Sequence, residues 1–214
     1  MHIEYFHASK YGNGAMVAEE FKKQMVAKDI TVNVHHIREV SPKELPPADL
    51  YLFSSPGRFG KPIGHMRRAL KKVRLPAGTK YAILTTEAEP QPDKKTGRMP
   101  TEKELAKRQR VIPIMNEILQ GRGLVKVAED KILVTGLGWK GPLEEGWQKK
   151  VEAFVVRIQA AAEAAAVRRA LVGHPRAVAA APSVSSPDCG RQPGSPSTGD
   201  ETIPEGPASW LPHP

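Results

Sequence analysis

An alternation constrains this sequence most: short apolar runs take turns with longer amphipathic segments, five times over. His2 to His7 is the first apolar run. Ile30 to Ile37 is the second, with Ile30, Val32, Val34 and His36 on one face and polar residues on the other. Ala48 to Ser54 reads Ala-Asp-Leu-Tyr-Leu-Phe-Ser, Tyr81 to Thr86 follows, and the last run lies in Leu124 to Leu137, centred on Lys131 to Thr135. Ala15 to Lys28 places Met16, Val17, Phe21, Met25 and Val26 at helical spacing. Ile63 to Val73 is a basic helix with Met66, Leu70 and Val73 inward. Thr101 and Glu104 form a capping box that opens a helix to about Gln120, with Pro113 predicted to kink it. Leu143 to Leu171 is the last helical segment. Strand followed by helix, repeated, builds an α/β, doubly wound, five-stranded parallel sheet with helices on both faces. The half-polar second run belongs at an edge and the continuous third run at the centre.

In such sheets ligands bind beyond the carboxyl ends of the strands, where the strand order reverses. The loops at those ends are 8–14, 55–62 and 87–100. In the first, His7-Ala8-Ser9-Lys10-Tyr11-Gly12-Asn13-Gly14, small and polar residues lead from a strand into a helix. Such a loop aims several N–H groups at one point, and the helix start adds about half a positive charge, which together make a phosphate site. Ser55-Pro56-Gly57-Arg58-Phe59-Gly60-Lys61-Pro62 is a Gly/Pro loop directly after a buried strand. Glu87 to Pro100 is long and polar, a length found in functional or mobile loops.

The first loop, from Ala8 to Gly14, resembles the FMN phosphate loop of the flavodoxin family. Its Ala-Ser-Lys-Tyr-Gly is particularly similar to the flavodoxin-domain branch that includes protoporphyrinogen-oxidising flavoproteins. Ser54 to Gly60 resembles the loop whose aromatic stacks on the isoalloxazine ring, which makes Phe59 the inner stacking residue by that match. Thr85-Thr86-Glu87-Ala88 falls where the family's third loop meets the ring edge. The resemblance covers about 1–160 and implies strand order 2-1-3-4-5 with FMN as cofactor. By that match Ser9, Lys10, Tyr11, Gly12, Asn13 and Gly14 hold the phosphate. Ser55, Pro56, Gly57, Arg58, Phe59, Gly60, Thr86, Glu87 and Ala88 surround the ring, and a peptide at Gly57 or Gly60 is placed to flip between redox states. The chain departs from the family in three ways. Tyr11 and Gly14 stand where hydroxyl residues are usual, no aromatic stands near Glu87, and the charge is basic where electron-carrying flavodoxins are acidic.

Three functions stay open on this reading. One is an FMN-binding redox protein that passes electrons to a partner protein. Another is a flavin-dependent oxidoreductase of quinone or protoporphyrinogen dehydrogenase type, favoured by the long third loop and the missing outer aromatic. The third is a cofactor-free module of the same fold that binds an acidic partner, favoured by Tyr11 and Gly14.

The net charge of +9 bears on the partner. Residues 173–214 hold only Arg176 and Arg191 against Asp188, Asp200, Glu201 and Glu205, so the positive excess lies before them. Basic residues cluster at 67–80 and 94–110 without interleaved aromatics, which favours an acidic protein partner over nucleic acid. Lys94, Lys95 and Arg98 are candidates for steering that partner. The single cysteine, Cys189, allows no disulfide within the chain and fits a reducing compartment. Neither a signal peptide nor a membrane span is legible, so a cytoplasmic protein is expected. The expected organisation is a folded domain at 1–160, an extension of the last helix at 161–172, and a disordered Pro/Ser/Gly/Ala-rich tail at 173–214. Trp139 and Trp147 are expected to pack against the sheet. Trp210 and Leu211 near the chain end are a candidate docking motif.

Overall fold

The structure is a computed structural model that describes residues 1–136 and 140–172. Trp139, Cys189, Trp210, Leu211 and the rest of 173–214 lie outside the described residues. The sheet strands are β1 (His2–His7), β2 (Thr31–His36), β3 (Leu50–Ser54), β6 (Lys80–Ala88) and β7 (Val125–Val134). Between β3 and β6 lie two short strands, β4 (Gly57–Arg58) and β5 (Lys61–Pro62), which pair as an antiparallel hairpin. The helices are α1 (Asn13–Val26), α2 (Gly64–Leu70), α3 (Glu102–Arg108), α4 (Val111–Gln120) and α5 (Trp147–Val172).

The sheet order is β2-β1-β3-β6-β7, and each neighbouring pair is parallel. With the hairpin strands set aside this is the expected 2-1-3-4-5 order. The order follows from the burial pattern. Every residue of β3 is buried, as a central strand requires, while β2 buries only Val32 and lies at the edge.

Each face of the sheet carries its own apolar layer. On one face Ile3, Tyr5, Leu52 and Leu84 pack against Val17, Phe21 and Met25 of α1 and Val151, Phe154 and Ile158 of α5. Phe21 meets the edge of Tyr5 at 5.5 Å and lies 6.1 Å from Phe154. Trp147 packs against this layer. On the other face Phe6, Phe53, Tyr81 and Ile83 pack against Met66 and Leu70 of α2 and Val111, Met115 and Leu119 of α4. Among the described residues no helix is long and apolar enough to cross a membrane.

Two elements differ from expectation. The segment from Thr101 is two helices, broken at Gln109 and Arg110, not one helix kinked at Pro113. Pro113 is the third residue of α4, where its missing N–H would have had no helical partner in any case. The last strand, Val125–Val134, lies within the expected Leu124 to Leu137 but is centred nearer Glu129 than the expected Lys131 to Thr135. As the far edge of the sheet it exposes Val125 and Lys126, so its start carries little apolar signal.

Candidate functional site

At the carboxyl ends of β1, β3 and β6 the first two loops meet the end of β6; of the expected third loop, 87–100, only Ala88 lines the site, as the last residue of that strand. Their junction is a narrow cleft of about 40 Å³, lined by Ser9, Lys10, Tyr11, Asn13 and Gly14 from the first loop. Pro56, Gly57 and Arg58 line it from the second, with Thr86 and Ala88 at the end of β6, and Ile63 and Val134 beside them. The enclosed volume is room for only a few waters.

The first loop is built by local hydrogen bonds. The Ser9 hydroxyl accepts the Gly12 N–H at 3.2 Å, and Gly12 turns the chain with φ 99° to start α1. α1 begins with no side-chain cap and no acidic residue in its first turn. The N–H groups of that turn thus keep their affinity for an anion. A Cβ at Gly14 would lie 3.2 Å from the Cβ of Ser9, so Ser9 itself leaves no easy room for a side chain there. The Asn13 amide donates to the Gly141 carbonyl at 2.9 Å, which ties the loop to the chain leading into α5. Tyr11 is 44% exposed, and the ammonium groups of Lys10 and Lys140 lie over its ring at 5.4 and 5.3 Å.

Histidines support this loop from behind. His7 Nδ1 accepts the Ser9 N–H at 3.3 Å. Its ring meets His36 edge-on at 5.2 Å, and His36 lies 6.0 Å from His65. Burial, then the charge of His36, lowers the His7 pKa. Burial, then Arg38, lowers that of His65. A neutral His7 keeps the lone pair that holds Ser9.

The second loop and the end of β6 are joined directly. Pro56 bridges Thr86, and the Thr86 N–H donates to the Ser55 carbonyl at 3.3 Å. The Ser55 hydroxyl accepts the Ile63 N–H at 3.1 Å, which fixes the start of α2. Gly57 lies in close approach to its neighbours. A Cβ there would lie 3.0 Å from Val111 Cγ2 and 3.2 Å from Glu87 Cγ. Glu87 is buried beneath Gly57, accepts the Thr85 hydroxyl at 3.0 Å, and has its pKa raised by burial.

Most of the expected residues are therefore brought together, and some are not. Phe59 and Gly60 do not line the cleft. They form the turn of the β4–β5 hairpin, where Phe59 is 78% exposed with φ 50°. The hairpin is fixed against the α3–α4 junction, since Arg110 N–H donates to the Gly60 carbonyl at 2.7 Å. Gly12, Ser55 and Glu87 shape the cleft from behind without lining it. Lys94, Lys95 and Arg98 belong to a compact turn whose backbone and Thr96 hydroxyl bond Asp93. Arg98 pairs with Glu104 at 2.7 Å, and none of the three lines the cleft.

The sequence reading missed Glu4, in the middle of β1. Its side chain is wholly buried and accepts from Asn33 at 2.8 Å, with His35 at 2.7 Å and His2 at 3.0 Å. A carboxylate is stable there only because these partners are present. The available signal was a charge inside a strand flanked on both sides.

A sheet of this order, with the cleft at its switch point, defines the flavodoxin-like α/β class. No family model matches the sequence, and no curated protein matches it. Solved structures do. Flavodoxin 2 from Bacillus cereus aligns over 74% of this chain and 98% of its own, with 20% identity and a TM-score of 0.55. A flavodoxin from Streptococcus pneumoniae TIGR4 aligns over 75% of this chain and 99% of its own, with 16% identity and a TM-score of 0.55. The rubredoxin:oxygen oxidoreductase of Desulfovibrio gigas aligns over 76% of this chain and 36% of that one, at 12% identity and a TM-score of 0.56. The likeness is one of fold.

Proposed function

We propose that this chain is an FMN-binding redox protein that passes electrons through the flavin to a partner protein in the cytoplasm. One observation carries the reading. The uncapped start of α1 shares one cleft with Pro56 and Gly57 of the second loop and with Thr86 and Ala88 at the end of β6. The phosphate is held by Ser9, Asn13, Gly14 and the first-turn N–H groups of α1, with Lys10 adding charge. Pro56, Gly57, Thr86 and Ala88 border the ring, and Tyr11 is the aromatic side chain that the cleft supplies. Arg58 places a cation at the cleft wall. When bound, FMN supplies one- or two-electron transfer. The protein's part is to orient it, limit water at its edge, and keep Glu87 as a protonatable group beneath Gly57.

FMN titrated into the purified chain is expected to give a yellow 1:1 complex at micromolar concentration, with a shifted visible spectrum. An unshifted spectrum at that concentration rejects the proposal.

A second reading, a flavin-dependent oxidoreductase of quinone or protoporphyrinogen dehydrogenase type, is favoured by Ala88. Thr86, Glu87 and Ala88 carry no aromatic beside the cleft, which supports a flavin with one ring face open to a substrate. Steady-state quinone reduction by the FMN-loaded chain separates this reading from a carrier.

A further inference from the structure

The β4–β5 hairpin carries a feature that the cleft does not use. Its turn is Phe59-Gly60, with φ 50° and 70°. Positive φ at both positions of a two-residue hairpin loop is the pattern of a type I′ turn, where Asn-Gly is the preferred pair. A bulky aromatic is an outlier in the left-handed region. Phe59 is nonetheless there, 78% exposed, so folding does not explain it by burial. An outlier kept in place by its surroundings points to function.

The surroundings do keep it in place. Gly60 fits so closely that a Cβ would fall 1.5 Å from the Arg108 carbonyl oxygen. Its own carbonyl takes the Arg110 N–H at 2.7 Å. The ring is thus displayed from a rigid mount. Phe59 borders a groove of about 490 Å³ that is also lined by Lys61, Lys107, Arg108 and Arg110. It also borders a second groove of about 330 Å³ lined by Arg58, Lys61 and Arg67, with the Arg58 guanidinium 5.6 Å from the centre of its ring. Neither groove has a carboxylate in its lining.

We propose that this surface docks an acidic segment of a partner protein, with Phe59 as the apolar anchor at its centre and the flanking cations as the complementary rim. The arrangement is that of an interface hot spot: one exposed aromatic, surrounded by charges that steer and orient the partner. It favours a protein over a nucleic acid. A polyphosphate strand needs a continuous cationic track and successive stacking rings. Here there is a single ring, and the cationic surface is interrupted nearby by the Arg110–Glu117 and Arg98–Glu104 ion pairs. The inference rests on the proposed function in naming the chemistry of its partner protein, but it does not require FMN, because Phe59, Lys107 and Arg108 lie outside the cleft and only Arg58 and Ile63 border both.

The test uses the full chain and fluorescence anisotropy with a short fluorescein-labelled Glu/Leu peptide, beside oligothymidylate of equal charge. Phe59→Asn makes the turn Asn-Gly, so this variant is expected to fold at least as well as the wild type. It should bind the peptide roughly tenfold more weakly, the loss of one hot-spot side chain. The pair Lys107→Glu and Arg108→Glu should abolish binding and its salt dependence. The pair Lys28→Glu and Lys149→Glu changes the net charge equally, on exposed positions elsewhere, and should leave binding within about twofold. Wild-type affinity in Phe59→Asn overturns the proposal, as does no peptide binding by the wild type or equal loss in the control pair. Tighter binding of oligothymidylate also overturns it, in favour of a nucleic-acid surface. FMN titrations of the same variants read the cleft separately. Failure of peptide binding with intact FMN binding leaves the proposed function standing, and the converse leaves the docking surface standing.

Discussion

Gly60→Ala tests how firmly the second loop is fixed. Gly60 sits at φ 70°, where a Cβ costs roughly 1–2 kcal/mol on its own. The new methyl carbon would also stand 1.5 Å from the Arg108 carbonyl oxygen and 2.7 Å from its carbon, both backbone atoms. No side-chain rotation relieves that overlap, so the hairpin must lift from the α3–α4 junction. Lifting breaks the Arg110 N–H to Gly60 carbonyl bond of 2.7 Å, a loss of about 1 kcal/mol. The sum is about 2–3 kcal/mol. In a domain of this size that lowers Tm by roughly 5–10 °C. Urea unfolding followed by tryptophan fluorescence and far-UV circular dichroism measures the difference. Gly64→Ala is the control. No atom lies within 4 Å of its Cβ position, and it is the first residue of α2, so alanine there should be neutral or stabilising. If Gly60→Ala unfolds within about 0.5 kcal/mol of the wild type, a value typical of neutral surface substitutions, the hairpin is not pinned as described. The rigid display of Phe59 then fails with it.

Glu87 has its pKa raised, so its contribution to stability is fully present below the ordinary carboxylate value and is lost as pH rises through the raised one. Glu87→Gln should therefore flatten the pH dependence of the urea midpoint in that window and be the more stable protein above it. His7 and His65 have lowered values, so stability should fall as pH drops through the ordinary histidine range. His7→Asn, which keeps an acceptor for Ser9, should remove part of that slope and leave the His65 part. The capping box holds the Glu104 carboxyl down at about 2, through the Thr101 N–H first and then Arg98. Its contribution is present above the ordinary carboxylate value and is lost as pH falls toward that figure. α3 buries no residue, so Thr101→Ala should speed amide exchange within α3 roughly fivefold and leave the global midpoint in place.

The sheet was legible because its strands are apolar in the way their positions demand. Leu50 to Ser54 is buried throughout and reads as a centre, while Thr31 to His36 is half polar and reads as an edge. The placement of the first two loops beside the end of β6 then followed from the rule for parallel sheets, without any contact being known. The capping box of Thr101 and Glu104 was legible because it is a local device with fixed spacing. What stayed hidden was non-local. The β4–β5 hairpin has strands of two residues, too short for any period, so Phe59 read as a residue of the cleft. Its true place is set by Arg108 and Arg110, about fifty residues further along. The helix break at Gln109 has the same origin, because the Gly60 carbonyl takes the Arg110 N–H. Glu4 read as one polar position within an apolar run. Only the pairing of β1 with β2 shows that Asn33 and His35 satisfy it. Gly14, a departure from the family's hydroxyl pattern, has a steric reason in Ser9 that sequence does not display.

The central claim is that the cleft binds a flavin through its phosphate. Quenching of flavin fluorescence on titration with the full chain, run in parallel for FMN and riboflavin, tests it most directly. The two ligands share the ring and differ in the phosphate. The account predicts saturable quenching of FMN and at least roughly tenfold weaker binding of riboflavin, the loss of a charge-assisted anchor. Equal affinity for the two, or no quenching of FMN at micromolar concentration, would contradict it.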